Sequence, residues 1–310
     1  MKKMQKIIVI VGPTAVGKTA LSLDLAARYH GEIISGDSMQ IYRGLDIGTA
    51  KATPTEQAQV PHHMLDIVEP DVNYSVAEFV QQARQVIQKV ADRGKIPIVV
   101  GGTGFYIQAL LGDRTLVDES QVMDAAAEQA WRQRVALEGE APLRDALRQV
   151  DPVSAERIVS GQIRRLIRAL LMTQAVGKPF SEQEPPAHRI YDALIIGLNT
   201  ERPVLYERIN QRVTSMLQTG LLAEAQLVQQ LPDAATAKQA IGYKELFPYL
   251  RGDEDLAAGE QRLQQASRRY AKRQITWFKH QLKGIQWYDL VLNSNDQKRL
   301  VQAVEEFIQA

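Results

Sequence analysis

The chain has 310 residues, 45% of them hydrophobic and 24% charged, with a net charge of +1; this excludes a globally basic wrapper of nucleic acid but leaves room for a local basic face. It has no cysteine, which excludes disulfides, a thiolate nucleophile and any cysteine-ligated zinc. No stretch approaches the ~20 apolar residues of a membrane span, and the apolar run after Met1-Lys2-Lys3 is too short for a signal peptide, so the expectation is a soluble cytoplasmic protein.

The apolar run Ile7 to Val11 predicts a buried strand, and the spacing of Leu21, Leu25 and Tyr29 predicts a helix over 20–30. Between them Gly12-Pro13-Thr14-Ala15-Val16-Gly17-Lys18-Thr19 fits the phosphate-binding loop G-x-x-x-x-G-K-[ST] at every fixed position. Gly12 and Gly17 let successive N–H groups turn around an anion that also sits on a helix N-terminus. Lys18 adds a point charge, and the Thr19 hydroxyl suits a phosphate-bound Mg²⁺. The segment therefore binds a di- or triphosphate without saying which.

Glu32 to Ser35 reads as a second strand that delivers Gly36-Asp37-Ser38 to the carboxyl edge of a sheet, where loops line a ligand crevice. Asp37 either faces the phosphate site or caps a helix. Met39 to Lys51, with Tyr42, Arg43, Asp46 and Lys51 among glycines, reads as a polar loop. His62 and His63 point oppositely in one extended stretch, which favours a structural or substrate-shaping role over zinc. A helix is expected over 74–93, with Ser75 as cap and Glu78 at the capping-box position. Ile96 to Val100 is a third strand; Gly101-Gly102-Thr103-Gly104 then lets backbone approach a ligand closely and presents the Thr103 hydroxyl.

From about Leu116 the composition shifts to Ala, Gln, Glu and Arg with no strand-like run, ending in a polar, proline-rich linker from Pro179 to Pro186. The pattern predicts an α/β fold in which a helical insertion, 116–187, interrupts a core formed by 1–115 and 188–310. Within the insertion Ile163, Leu166, Ile167, Leu170 and Leu171 share one helix face and Arg164, Arg165 and Arg168 the other, an anion-binding candidate. Strand character returns over 193–198. A helix over 204–217 carries Arg208 and Arg212 four residues apart, either a clamp for phosphate oxygens or an exposed pair beside Glu201 and Glu207.

Gln261 to Lys283 contains no acidic residue. On a helical wheel Arg268, Arg269, Lys272, Arg273, Lys279, His280 and Lys283 fall within an arc of about 140°, with Ala271, Ile275, Phe278 and Leu282 opposite. Tyr270 and Trp277 border the arc, available for stacking on bases or a sugar. A polyanion is the natural partner of such a strip.

Taken together, Gly12 to Thr19, the run from Gly36 to Lys51, His62 to Ile67 and Gly101 to Gly104 resemble the tRNA dimethylallyltransferase (tRNA isopentenyltransferase) family. Asp151-Pro152, Arg164 to Leu170, Ala240-Ile241-Gly242-Tyr243-Lys244-Glu245 and Ala271 to Trp277 agree, so the likeness spans nearly the whole chain. It implies a P-loop NTPase-like parallel sheet flanked by helices. It also implies transfer of a dimethylallyl group from dimethylallyl diphosphate to N6 of the adenosine 3′ to the anticodon, with Mg²⁺ and release of diphosphate. Asp37 would be the general base and Thr103 would orient the amine or hold a diphosphate oxygen. The loop residues Gly12, Pro13, Thr14, Ala15, Val16 and Gly17, with Lys18, Thr19 and Arg212, would hold the diphosphate, Thr19 also ligating the metal.

Contacts to the tRNA anticodon stem-loop would come from Asp37, Ser38, Met39 and Gln40, from Arg164, Arg165, Leu166, Ile167 and Arg168, from Gly242, Tyr243 and Lys244, and from Arg269, Lys272, Arg273, Trp277 and His280. Ser160-Gly161 stands where some relatives have Asn-Asp, and the C-terminal zinc finger of eukaryotic members is missing. A monomer is expected, because one chain supplies both substrate sites. The loop alone would equally serve a small-molecule or nucleotide kinase, prenylation of free adenylate, or a nucleotide-gated RNA-binding module.

Overall fold

In a computed structural model the described residues are 4–114, 124–183 and 188–310. The chain divides into two compact units, Met1–Asp113 with Arg189–Ala310, and Arg114–His188.

The larger unit is built on a six-stranded, wholly parallel sheet in the order β3-β2-β4-β1-β5-β6. Its strands are β1 (Gln5–Val11), β2 (Gly31–Ser35), β3 (His62–His63), β4 (Ile96–Gly101), β5 (Tyr191–Leu198) and β6 (Ile285–Tyr288). Strands buried on both faces need uninterrupted apolar runs, and Ile7 to Val11 are at most 1% exposed. Helices α1 (Lys18–Arg28), α2 (Pro54–Gln59), α3 (Val76–Asp92) and α4 (Gly104–Leu111) precede the smaller unit in sequence. The expected Ser75–Glu78 capping box at the start of α3 is present in both directions.

The smaller unit contains α5 (Ala125–Glu138), α6 (Ala141–Val150), α7 (Pro152–Arg157) and α8 (Ile163–Val176). Its core gathers Leu143, Leu147, Ala155, Leu166, Ile167 and Leu170. Asp151 caps α7 and also accepts the Ser181 amide and hydroxyl, both at 2.8 Å, so the first part of the proline-rich stretch is fastened down. The rest of that stretch, 184–187, and the expected beginning of the insertion, 116–123, lie outside the described residues.

The chain returns to the larger unit through β5, followed by α9 (Arg202–Gln218), α10 (Leu221–Gln229), α11 (Phe247–Leu250), α12 (Leu256–Gln281) and α13 (Ser294–Gln309). The last strand and α13 close the core with Tyr288, Leu300 and Val304, an ending that the short, mixed run Ile285 to Tyr288 does not announce in sequence.

The segment 39–51 departs from the expected polar loop. Ile41, Tyr42 and Leu45 are fully or almost fully buried. Buried Lys51 sends its ammonium to the Tyr42 carbonyl at 2.9 Å, Asp46 at 2.5 Å and Asp66 at 2.6 Å. Glu224 of α10 accepts the amides of Asp46 and Ile47 on one oxygen (2.9 and 2.8 Å) and that of Gly48 on the other (3.0 Å). Irregular backbone can sit inside a protein only when its polar groups are paired, and here Lys51, Glu224 and Gln40 supply much of the pairing.

Candidate active site

The carboxyl ends of β1, β2 and β4 open onto one cavity of about 920 Å³ within the larger unit. β1 runs into the phosphate loop, β2 into Asp37 and β4 into Gly101-Gly102-Thr103, so the sheet order brings three distant segments to one rim. Gly36 donates to the Val100 carbonyl at 2.7 Å, and a Cβ on Gly101 would lie 2.4 Å from the Gly36 oxygen. The loops after β2 and β4 therefore touch backbone to backbone.

Gly12 has φ +147°, and a side chain there would meet the Leu198 carbonyl at 2.5 Å, so only glycine lets β1 turn into the loop. The Lys18 ammonium curls back to the carbonyls of Gly12 (3.0 Å) and Pro13 (2.7 Å). Burial pushes its pKa down to about 8, with Arg212 acting the same way and Asp37 pulling against both. Arg208 donates to the Ala15 carbonyl at 2.9 Å, and Arg208 and Arg212 both line the cavity. Both arginines therefore stand beside the phosphate loop, Arg212 half-buried and Arg208 still exposed.

Asp37 also faces the cavity, and it does so while holding its own turn: one carboxylate oxygen accepts the Met39 amide at 2.9 Å. Burial raises its pKa, against the opposing pull of the Met39 amide, Lys18, the Gln40 amide and Arg212. The Thr103 hydroxyl accepts the Ser38 amide at 3.1 Å and is hydrogen-bonded to Tyr270. Gln40 accepts the Ser35 hydroxyl and donates to the carbonyls of Thr49 and Ala50, fixing the wall beside Asp37. His62 lines the cavity while His63 bonds Glu32 at 2.7 Å, the opposite directions expected of neighbours in a strand. Among the described residues no cluster of three or more His, Cys, Asp or Glu side chains could cage a metal.

Several residues expected at ligands make packing contacts. The glycines after β4 admit α12 as well as any ligand: a Cβ on Gly102 would lie 2.2 Å from the Gln274 amide nitrogen, and one on Gly104 2.1 Å from the Trp277 ring. Trp277 stands edge-on to Phe105 and Tyr270 is hydrogen-bonded to Thr103; both are half-buried, and Tyr270 lines the cavity. Tyr243 is fully buried; it packs on Gly48 and donates to Glu224 at 3.0 Å, which removes it from the surface offered to RNA. Gly242 is also buried, its amide held by Glu245, but it lines the cavity, and Lys244 is exposed. Leu166 and Ile167 belong to the core of the smaller unit, because the apolar side of α8 must be buried if Arg164 and Arg165 are to stay exposed on the other. Arg168 lies over the Phe180 ring at 5.6 Å. On α12, Arg269, Lys272, Arg273 and His280 are exposed, but Arg268 turns to Asn210 of α9 at 2.6 Å.

Gln274 is the residue that sequence reasoning missed. It falls between the apolar and aromatic sides of the α12 wheel, a position whose only signal was an uncharged amide inside a strongly basic run.

The parallel sheet and its loop define the class, a P-loop NTPase-like α/β protein with a helical unit inserted before β5. The chain belongs to the IPP transferase family, whose profile matches residues 40–281. It is 48% identical to the tRNA dimethylallyltransferase of Latilactobacillus sakei subsp. sakei (strain 23K) over 99% of both chains. Against that of Geobacillus thermodenitrificans (strain NG80-2) it is 48% identical over 97% of this chain and 95% of the other. Among solved structures, the full-length tRNA isopentenylpyrophosphate transferase of Bacillus halodurans superposes with a TM-score of 0.71 at 40% identity, covering 98% of this chain and 97% of that one. A eukaryotic dimethylallyltransferase acting on tRNA gives 0.83 at 30% identity, covering 98% and 80%. The protein is accordingly a transferase. Among the described residues no helix is long and apolar enough to cross a membrane.

Proposed function

We propose that the chain transfers a dimethylallyl group from dimethylallyl diphosphate to N6 of the adenosine 3′ to the anticodon of tRNA. The observation that carries this reading is the placement of the Asp37 carboxylate and the phosphate loop on the walls of one cavity. An exocyclic adenine amine is a poor nucleophile because its lone pair is delocalised into the ring. Asp37 takes the N6 proton as the N6–C bond forms, while the allylic C–O bond breaks and its electron pair leaves on the diphosphate. Burial makes Asp37 a stronger base than a surface aspartate. Lys18, Arg212 and the loop amides stabilise the charge that grows on the departing oxygens. Lys18 exchanges the carbonyls of Gly12 and Pro13 for phosphate oxygens when the donor enters.

Mg²⁺ fits this donor set as an ion carried in on the diphosphate rather than as a resident, since the Thr19 hydroxyl is a hard oxygen ligand on the cavity wall. When bound it adds positive charge against the leaving group. The target base leaves its loop stack to reach the cavity, a modest cost in a single-stranded loop. Exposed Arg269, Lys272, Arg273 and His280 on α12, and Arg164 and Arg165 on α8, supply the phosphate contacts. The protein works as a cytoplasmic monomer.

The test is incubation of labelled dimethylallyl diphosphate with unmodified tRNA, with AMP, and, in parallel, labelled ATP with small acceptors. Label should enter tRNA alone and disappear with Asp37→Ala. Transfer to AMP, phosphorylation of a small acceptor, or unchanged labelling in the variant would contradict the proposal.

A further inference from the structure

The buried Gln274 side chain uses both ends of its amide. Its oxygen accepts the backbone N–H of Thr14 in the phosphate loop at 2.9 Å, and its nitrogen donates to the Gly102 carbonyl at 3.0 Å. Gly102 adjoins Thr103, whose hydroxyl holds the Ser38 amide next to Asp37. One side chain thus bridges the loop that would bind the donor and the rim that carries the base. The fit excludes alternatives on the far side too, because any side chain at position 102 would collide with the bridging nitrogen. Gln274 also comes from α12, the helix whose outer face presents Arg269, Lys272 and Arg273.

We propose that Gln274 is a positioning residue that fixes the distance between the phosphate loop and the Asp37 rim, and so aligns the allylic carbon with the attacking amine. This rests on the prenyl transfer proposed above. Its signature is a loss of rate with little loss of donor affinity. The Thr14 amide is already engaged by Gln274, which leaves the amides from Ala15 onward, Lys18 and Arg212 as the donor's contacts. A displacement of order 1 Å between reacting groups costs roughly 100-fold in rate without requiring weaker binding of either substrate.

The experiment compares the wild type with Gln274→Met, Gln274→Glu and Gly102→Ala in steady-state kinetics with tRNA, together with calorimetric binding of inorganic diphosphate and thermal unfolding. Gln274→Met, similar in length and unable to make either bond, should lower kcat by roughly 10- to 100-fold, with diphosphate affinity changed less than about threefold. Gly102→Ala should reproduce that pattern, and the double variant should lose no more than either alone. This second variant decides the matter if Gln274→Met fails to fold.

Gln274→Glu supplies a readout that a merely structural role would not move. Ionised, the new carboxylate opposes the Gly102 carbonyl; protonated, it remakes both bonds. Its rate relative to wild type should therefore climb as the pH falls from about 8 to about 6, burial having raised its pKa. Lys18, Asp37, Glu56, His62, Arg208, Arg212 and Tyr270 line the same cavity, and the Gln274→Met to wild-type ratio, which introduces no charge and should stay flat, is the reference that separates their titration from that of the new carboxylate. A folded Gln274→Met with kcat within about twofold of wild type, a parallel fall in diphosphate affinity, or a flat Gln274→Glu ratio would each overturn the inference. Failure of the wild type to bind diphosphate would overturn the functional reading beneath it instead.

Discussion

The backbone amide of Ser38 donates to the hydroxyl of Thr103 at 3.1 Å, joining the carboxyl end of β2 to that of β4 immediately beside Asp37. Tyr270 bonds the same hydroxyl from α12, so Thr103 holds the base-bearing turn between a neighbouring loop and a helix. Thr103→Val keeps the shape and leaves the Ser38 amide without its acceptor. Steady-state assays should find transfer reduced roughly 10- to 100-fold, with most of it restored in Thr103→Ser. Equal loss in both variants would mean that the methyl group, not the hydroxyl, matters.

The pKa shifts at the cavity set a pH profile. Lys18, held by burial at about 8, carries its charge below that value and loses it as pH rises through it. The donor's kcat/KM, which reports the free enzyme, should therefore fall above about pH 8. A bound diphosphate stabilises the ammonium, so the alkaline fall should move upward or vanish in kcat. On the acid side Asp37 must be ionised to accept a proton. Its raised pKa predicts a fall that begins at higher pH than an ordinary aspartate would give. A kcat/KM that stays level across both limbs would remove these two groups from the rate-determining chemistry.

How much of this was legible beforehand depends on whether a residue's role is local or remote. Gly12 to Thr19 announces itself because loop, strand and helix lie together in sequence, and the capping box of α3 is written within four residues. The packing role of Gly102 and Gly104 was not legible because their partners, Gln274 and Trp277, lie more than 170 positions away, and a glycine that admits a side chain looks the same in sequence as one that admits a ligand. Tyr243 and the segment 39–51 were misread for a related reason: their polar atoms find partners in Glu224 and Lys51, and composition does not reveal such pairing. The basic side of α12 was legible as a charge pattern. Which of its members point to neighbours was not, since that follows from how α9 packs on it.

Glu224 tests the buried segment as a matter of stability. Its carboxylate accepts three backbone amides and the Tyr243 hydroxyl. Glu224→Ala leaves four donors without their shared acceptor, the fully buried Tyr243 hydroxyl among them, and the denaturation midpoint should register a loss of about 2–4 kcal/mol. Glu224→Gln should also destabilise, because its amide nitrogen would confront two of those donors. A variant as stable as wild type would mean that the loop finds other acceptors on relaxing.

On α12 the structure separates two kinds of cation that the sequence groups together. Lys272 is exposed, whereas Arg268 is spent on Asn210 and lies over the Tyr206 ring at 5.9 Å. If Lys272 meets an RNA phosphate, Lys272→Ala should weaken tRNA binding several-fold near 0.1 M salt and reduce the dependence of log K on log salt by about 0.7 to 0.9. The rate at saturating tRNA should not change, since a phosphate contact outside the cavity is shared by ground and transition states. Arg268→Ala should act differently, loosening the packing of α9 on α12 and lowering thermal stability while leaving the salt slope intact. Filter-binding titrations at several salt concentrations, read beside melting curves, distinguish the two. An unchanged slope in Lys272→Ala, or a changed one in Arg268→Ala, would mean that the RNA lies along a different line of this helix.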